Sequence, residues 1–506
     1  MTDHDCTVFF LPGLGFASAS AAPLAAALGH RFRVVGIDSP GHGDAADAAD
    51  GSVQALAHAA LATIEVEADG GPWLLAAHSM GGKVAALVAA RVLSGHAAVF
   101  GLAGAVLLAP SPPTPEPMTD DKRALMLSWA ANGSLSEVDA RAFVAQNVAH
   151  ALATAPELDA VAQVRETSPL AWQRWLNEGS REDVSAAVGV IDMPVIVIAG
   201  DDDADLGAVA QPGMLGAVYP RARFVSLAET GHLLPYERAS EVAAEIVEFW
   251  ESIVRASAPV AGDWAQLIAS DRTGIESRAL LARRALADDA DYAPRALSPG
   301  QLATLRALAA RLVPQPAGGR VDLAARIDAD LASARGDGWR PAELPDDASA
   351  YRLGLDVIAA VWPAETTAQD TFIRSILAGE LVPASTTVAS PNLASPWSGE
   401  LFRQWFDDVR NDLARTWLAH PASLARVGYD GFATSGPGAE PAGYVSLGAG
   451  VRDAWEPTEL GILIPEQANR ADRRDDNDDN DNDDNDDNDD PTTTNTAGQA
   501  GKEAAA

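Results

Sequence analysis

The chain has 506 residues, a formal net charge of −35, 47% hydrophobic residues and a single cysteine. That length exceeds one ordinary hydrophobic core, so two or more domains are expected, and Cys6 alone excludes an internal disulfide or a cysteine-based zinc site. Residues 475–490 are only Asp and Asn, 11 of the 16 being Asp; without them the chain still carries about −24, which argues against nucleic acid and anionic membrane surfaces as partners.

The opening MTDHDCTVFFLPGLGF has neither the basic start nor the long apolar core of a signal peptide. No run elsewhere is long and apolar enough to span a bilayer, so a cytoplasmic location without a membrane partner is the default expectation. From there to about residue 255, short β-like runs alternate with helical stretches. The runs are Thr7–Leu11, Arg33–Ile37, Trp73–Ala77, Ala105–Ala109, Val195–Ala199 and Arg223–Leu227, most of them continuously apolar. Such runs suit parallel strands covered on both faces. With helical segments such as Val53–Glu67 and Lys83–Leu93 between them, they predict a doubly wound, mostly parallel α/β sheet over residues 1–255. The interval between Ala109 and Val195 is too long for a βα connection and predicts a helical cap over about 111–190, holding Trp129, Phe143, Trp172 and Trp175.

Past Trp250 the texture changes. SAPVAGD suggests a linker over 256–274, and an all-α domain is expected over 275–465. Its helical stretches are Ser277–Leu286, Leu302–Val313, Leu323–Leu331, Gly354–Val361 and Leu401–Leu418, with Pro and Gly at their ends. Residues 466–506, with the Asp/Asn run, predict a disordered acidic tail.

The chemistry concentrates in the first domain. Ala77-His78-Ser79-Met80-Gly81 follows a strand and opens a helix. A serine hydroxyl is a weak nucleophile and must be exposed, aimed and deprotonated by a neighbour. A sharp strand-to-helix turn flanked by small residues does the aiming, and the helix N-terminus faces the developing oxyanion. The Gly-rich turn Pro12-Gly13-Leu14-Gly15 can present the Leu14 N–H as a second oxyanion donor beside that of Met80. A strand-exit turn, Asp38 to Gly43, follows the second run, Gly200 to Asp203 follows the fifth, and Gly231-His232 follows the sixth. Ser, then Asp, then His is the chain order of one of the known serine-hydrolase folds. Of the nine histidines only His232 lies in a late post-strand loop from which a base could reach Ser79; His78 and His42 suit packing roles near the pocket. Asp201, Asp203 and Asp205 have the spacing of a calcium loop, but Leu206 and Pro212 stand where that loop needs Gly and Glu. No metal and no cofactor are expected.

Residues 7–254 resemble the α/β-hydrolase family, particularly its small capped esterases and carbon–carbon bond hydrolases, whose elbows often read HSMGGK as His78–Lys83 do here. Pro12 departs from the His that often precedes the Gly of the oxyanion turn. The resemblance implies that the acid falls three residues after Gly200, at Asp203, with Ser79 as nucleophile and His232 as base. Trp129, Trp172 and Trp175 are the candidate lining of the substrate pocket. The implied reaction is hydrolysis of a small-molecule ester or lactone; the alternative with the same residues is carbon–carbon bond hydrolysis. The second domain offers no catalytic constellation. Its phrases Leu305–Pro314, Val321–Leu331, Phe402–Pro421 and Gly443–Pro457 resemble the gluconate 2-dehydrogenase subunit 3 family, which implies a flavin-dependent dehydrogenase as partner. A non-catalytic assembly subunit is the competing reading from another class.

Overall fold

The computed structural model describes residues 4–45, 51–316, 320–336, 338, 340–380, 397–435 and 442–458. Six strands, β1 (Cys6–Leu11), β2 (Phe32–Gly36), β3 (Trp73–His78), β4 (Leu102–Leu108), β5 (Val195–Gly200) and β6 (Ala222–Leu227), form one parallel sheet in the order β2-β1-β3-β4-β5-β6. The central strands β1, β3 and β5 are buried along their whole length, while the edge strands β2 and β6 are largely half-exposed. That gradient explains why the central strands read as unbroken apolar runs. Period-two alternation splits their side chains between two layers. Phe9, Leu11, Leu75 and Ala77 face one core, and Val8, Phe10, Leu74 and Ala76 face the other.

Helices α1 (Ala22–Leu28), α2 (Val53–Glu67) and α3 (Met80–Leu93) connect the first four strands. Ser52 caps α2 by accepting from the Ala55 N–H, which sets its start at the expected residue. Between β4 and β5 the chain leaves the sheet for α4 (Asp120–Trp129), α5 (Glu137–Gln146), α6 (Thr154–Glu166), α7 (Pro169–Arg174) and α8 (Ser185–Val188), the cap. The short α9 (Gln211–Leu215) and α10 (Leu234–Glu237) precede α11 (Ala239–Ala256), whose Val242, Ile246, Phe249 and Trp250 cover the second sheet face. Because the strand order reverses beside β1, the loops after β1 and β3 open a crevice at the carboxyl ends of the strands.

The expected linker is corrected by the structure. Residues 262–269 form α12 (Gly262–Ala269), and α13 (Ile275–Ala285) follows it. Ala265 and Ile268 of the first, and Leu281 and Ala282 of the second, enter the core beneath α2 and α3. Apolar residues at helical spacing outweigh the Pro/Gly texture of SAPVAGD just before them. The Arg278 guanidinium donates to the carbonyls of Gly95, Ile268, Ser270 and Thr273, so this seam is hydrogen-bonded as well as packed.

The remaining described chain is helical: α14 (Pro299–Leu312), α15 (Leu323–Ala332), α16 (Asp347–Val361), α17 (Thr366–Leu377), α18 (Gly399–Leu418) and α19 (Pro421–Val427). Leu305, Leu308, Leu355, Ile358, Phe402, Trp405 and Val409 form its core. Gly354 is required there, since a Cβ would stand 2.2 Å from the Trp405 ring. The acidic tail expected over 466–506 lies outside the described residues.

Candidate active site

Ser79 stands between β3 and α3 with φ 51° and ψ −118°, a left-handed conformation that costs a residue with a side chain roughly 1–3 kcal/mol. The surroundings enforce it. The Ser79 N–H donates to Leu108 O at 3.0 Å, and its carbonyl accepts from Gly82 and Ser111 at 2.8 and 2.9 Å. A Cβ on Gly81 would come within 2.4 Å of Leu11 O, and one on Gly82 within 2.2 Å of Pro110, so only glycines let the helix start this close to the ends of β1 and β4.

His232, in the loop after β6, donates or accepts through Nε2 at 2.8 Å from Ser79 Oγ, while its Nδ1 lies 2.6 Å from Asp203 Oδ2. Burial alone would lower the His232 pKa, but the charge and hydrogen bond of Asp203 outweigh it and raise the value above the ordinary 6.5. Asp203 is buried, which opposes ionisation. The His232 partner and the amides of Leu206 and Asp205 nevertheless hold its carboxyl well below the usual range. Asp201 and Asp202 are exposed, and Asp201 accepts from the Ser226 hydroxyl. Of the acidic quartet, Asp203 alone meets His232 among the described contacts.

The Gly-rich turn after β1 lies against the elbow. A Cβ on Gly13 would be 2.9 Å from His78 Nδ1 and 3.0 Å from Ser79 Cβ, which is why the turn needs glycine there. Among the described residues, the N–H groups of Leu14 and Met80 have no protein acceptor. His42 is buried behind this turn, its Nε2 3.5 Å from the Gly15 N–H and its Nδ1 3.3 Å from Pro40 O, and burial lowers its pKa to about 4. His78 is buried too, its pKa lowered to about 3 chiefly by desolvation, and its Nε2–H donates to the His232 carbonyl at 2.8 Å. Both are therefore neutral at neutral pH.

A cavity of about 50 Å³ ends on Ser79 and His232. The three tryptophans divide. Trp175 lines it. Trp172 is fully buried and donates to Met126 O at 2.9 Å, and Trp129 packs edge-on against Phe143; both belong to the cap core, a correction to the expected lining. Sequence reasoning missed Glu116, Lys122 and Asn147, which also line the cavity. Glu116 accepts from the Ser111 hydroxyl at 2.7 Å, and burial raises its pKa; Lys122 pairs with Asp205. Lys83, the last residue of HSMGGK, is fully buried and donates to the carbonyls of Gly179, Ser180 and Glu182, fastening the cap to α3. Burial lowers its pKa to about 8. Among the described residues, no group of three His, Cys, Asp or Glu is arranged to hold a metal, and no helix is long and apolar enough to cross a membrane.

A six-stranded parallel sheet with a serine on a strained turn after β3, and a histidine between it and a carboxylate, is the arrangement of an α/β-hydrolase fold. Residues 8–245, a little under half of the chain, match the model of the alpha/beta hydrolase family. The helical region lies beyond the match. No curated protein matches the chain. Among solved structures, a thermophilic esterase from Thermogutta terrifontis is 20% identical with a TM-score of 0.40, covering 50% of this chain and 91% of its own. The esterase EaEST from Exiguobacterium antarcticum is 16% identical with a TM-score of 0.44, over 49% and 93%. An enol-lactonase from Burkholderia xenovorans LB400 is 20% identical with a TM-score of 0.40, over 49% and 92%. At these identities and scores the likenesses carry no argument about substrate.

Proposed function

We propose that the protein is a serine hydrolase that cleaves a carboxylic ester or lactone through an acyl-enzyme. The observation that carries this reading is the unbroken relay from Ser79 Oγ through His232 to Asp203, at 2.8 and 2.6 Å. His232 Nε2 takes the hydroxyl proton as Ser79 Oγ attacks the carbonyl carbon. Asp203 keeps the Nδ1 proton in place and stabilises the imidazolium that forms. The N–H groups of Leu14 and Met80 receive the oxyanion. His232 then returns its proton to the departing alkoxide, and a water, activated by the same imidazole, releases the acid and regenerates Ser79. All the residues lining the cavity come from the hydrolase region. The dehydrogenase partner suggested by the sequence phrases of the helical region enters none of these steps.

The test is labelling of the full chain with a fluorophosphonate, with mass spectrometry to locate the adduct, beside turnover of a short p-nitrophenyl ester and a lactone. Ser79 is expected to carry the adduct, and Ser79→Ala to lose at least roughly a thousandfold in ester hydrolysis with its Tm nearly unchanged. Labelling at Ser79 without turnover of either substrate would favour carbon–carbon bond hydrolysis, and no labelling at all would favour the non-catalytic reading.

A further inference from the structure

The loop that carries His232 is held by backbone hydrogen bonds to the cap, to His78 and to Glu237. The His232 and Leu233 N–H groups donate to Asn147 O at 2.8 and 3.1 Å, and the His232 carbonyl accepts from His78. The flanking donors converge on one side chain. Glu237 Oε2 accepts from the Gly231 N–H at 3.0 Å and from the Ala149 N–H at 2.8 Å, while its Oε1 accepts from the Leu233 N–H at 3.1 Å. Asn147 and Ala149 both belong to the α5–α6 connection of the cap, and Asn147 lines the cavity. Gly231 presses against the same connection, since a Cβ there would lie 2.6 Å from the Ala149 nitrogen.

We infer that Glu237 is a positioning residue that locks the His232 loop and the cap connection into one unit. This inference rests on the hydrolase reading above. The cavity is narrow and is lined by Asn147 of that connection as well as by Ser79 and His232, so a bound ester lies against both parts of this unit. A displacement of the α5–α6 connection is passed to the His232 loop through Asn147 and Glu237. The carboxylate matters because only an ionised acid has acceptors enough for three N–H groups. A glutamine keeps the shape but turns an NH₂ toward one of those donors.

The experiment measures kcat and KM for a p-nitrophenyl ester over pH 5–9, per active site titrated with a fluorophosphonate, with Tm in parallel. Glu237→Gln is expected to lower kcat per titrated site by ~10–100-fold with KM changed much less, the scale on which a misplaced catalytic group is felt. Its acid limb should also move, although Asp203, Glu116, Lys122 and His78, the groups facing His232, are untouched. Gly231→Ala, which pushes the cap connection off the loop from the other side, should give the same kcat-dominated loss. Glu237→Asp keeps the charge with a shorter reach and should fall between. A lowered Tm with kcat per titrated site and acid limb unchanged in Glu237→Gln and Gly231→Ala would overturn the inference and leave Glu237 a structural clasp. Failure of the wild-type chain itself to label at Ser79 would overturn the hydrolase reading and this inference with it.

Discussion

The hydrolase region and the helical region bury polar groups equally deeply and to different ends. In the first, the buried His78 and the half-buried Glu116 line the cavity that ends on one strained serine. In the second, Asp328 is fully buried, yet it accepts from the Tyr292 hydroxyl and from the amides of Arg295, Ala296 and Leu297, tying the approach to α14 onto α15. Tyr351 bonds to Asp412 at 2.6 Å, and His420 caps α19 through the Ala422 amide. Buried polarity thus marks function only where the groups converge on a reactive atom and a cavity; where they end on backbone amides they hold helices together.

The comparison breaks most sharply at Asp203. Asp203→Asn should cost on the order of 10³–10⁴ in kcat, while Asp201→Asn and Asp202→Asn stay within a few-fold. The pH profile gives the sign. In the proposed mechanism His232 acts as the neutral base, so kcat/KM is expected to rise as pH passes its pKa, which Asp203 holds above 6.5; removing the carboxylate should move that limb to lower pH. Folding responds in the opposite sense. The raised His232 pKa stabilises the fold below about pH 6.5 and the depressed Asp203 pKa above about pH 4, so the pair supports the fold most between those values. A Tm series across pH, compared with Asp203→Asn, checks this.

Asp328→Ala provides the counterpart in the helical region. It leaves three amides, that of Leu297 buried, without their acceptor and should cost about 2–4 kcal/mol in denaturant unfolding, with kcat per titrated Ser79 unchanged. A comparable loss of kcat would mean that the helices do contribute to the site.

Between these extremes lies Lys83, a hydrolase residue acting as the helical region's polar groups do. Lys83→Met removes the donor to three cap carbonyls and should lower stability by about 2–3 kcal/mol and loosen the cap, read as faster hydrogen exchange over 175–182. The smallest effects belong to the cavity charges. Glu116 raises the His232 pKa and Lys122 lowers it, so Glu116→Gln should shift the acid limb down and Lys122→Met up, each by less than about one unit.

How far the sequence led can be followed residue by residue. The central strands were legible because buried parallel strands are continuous apolar runs, and α2 because a helical run of Ala and Leu marks it. Ser79 and His232 each follow a strand end, a local signal, whereas Asp203 was singled out from its acidic neighbours only by the family resemblance. Glu116, Lys122 and Asn147 were not, since a cap residue reaches the cavity only through tertiary packing. Trp129 and Trp172 show the same limit: an aromatic residue announces burial without saying against what. Glu237 left a faint trace as an acid five residues after His232, too common a pattern to single out. The α12 helix was hidden by the Pro and Gly beside it.

The seam at α13 bears on anyone preparing the catalytic half alone. A cut at residue 255, where the sheet and its last helix end, would strip Ile268, Leu281 and Leu286 from the core. It would also leave the Gly95 and Leu93 carbonyls without the Arg278 and Arg283 guanidinium groups. A greasy patch and two orphaned acceptors would face solvent, an invitation to precipitate. A cut after Ala287, whose own methyl is buried on the far sheet face, would keep these contacts.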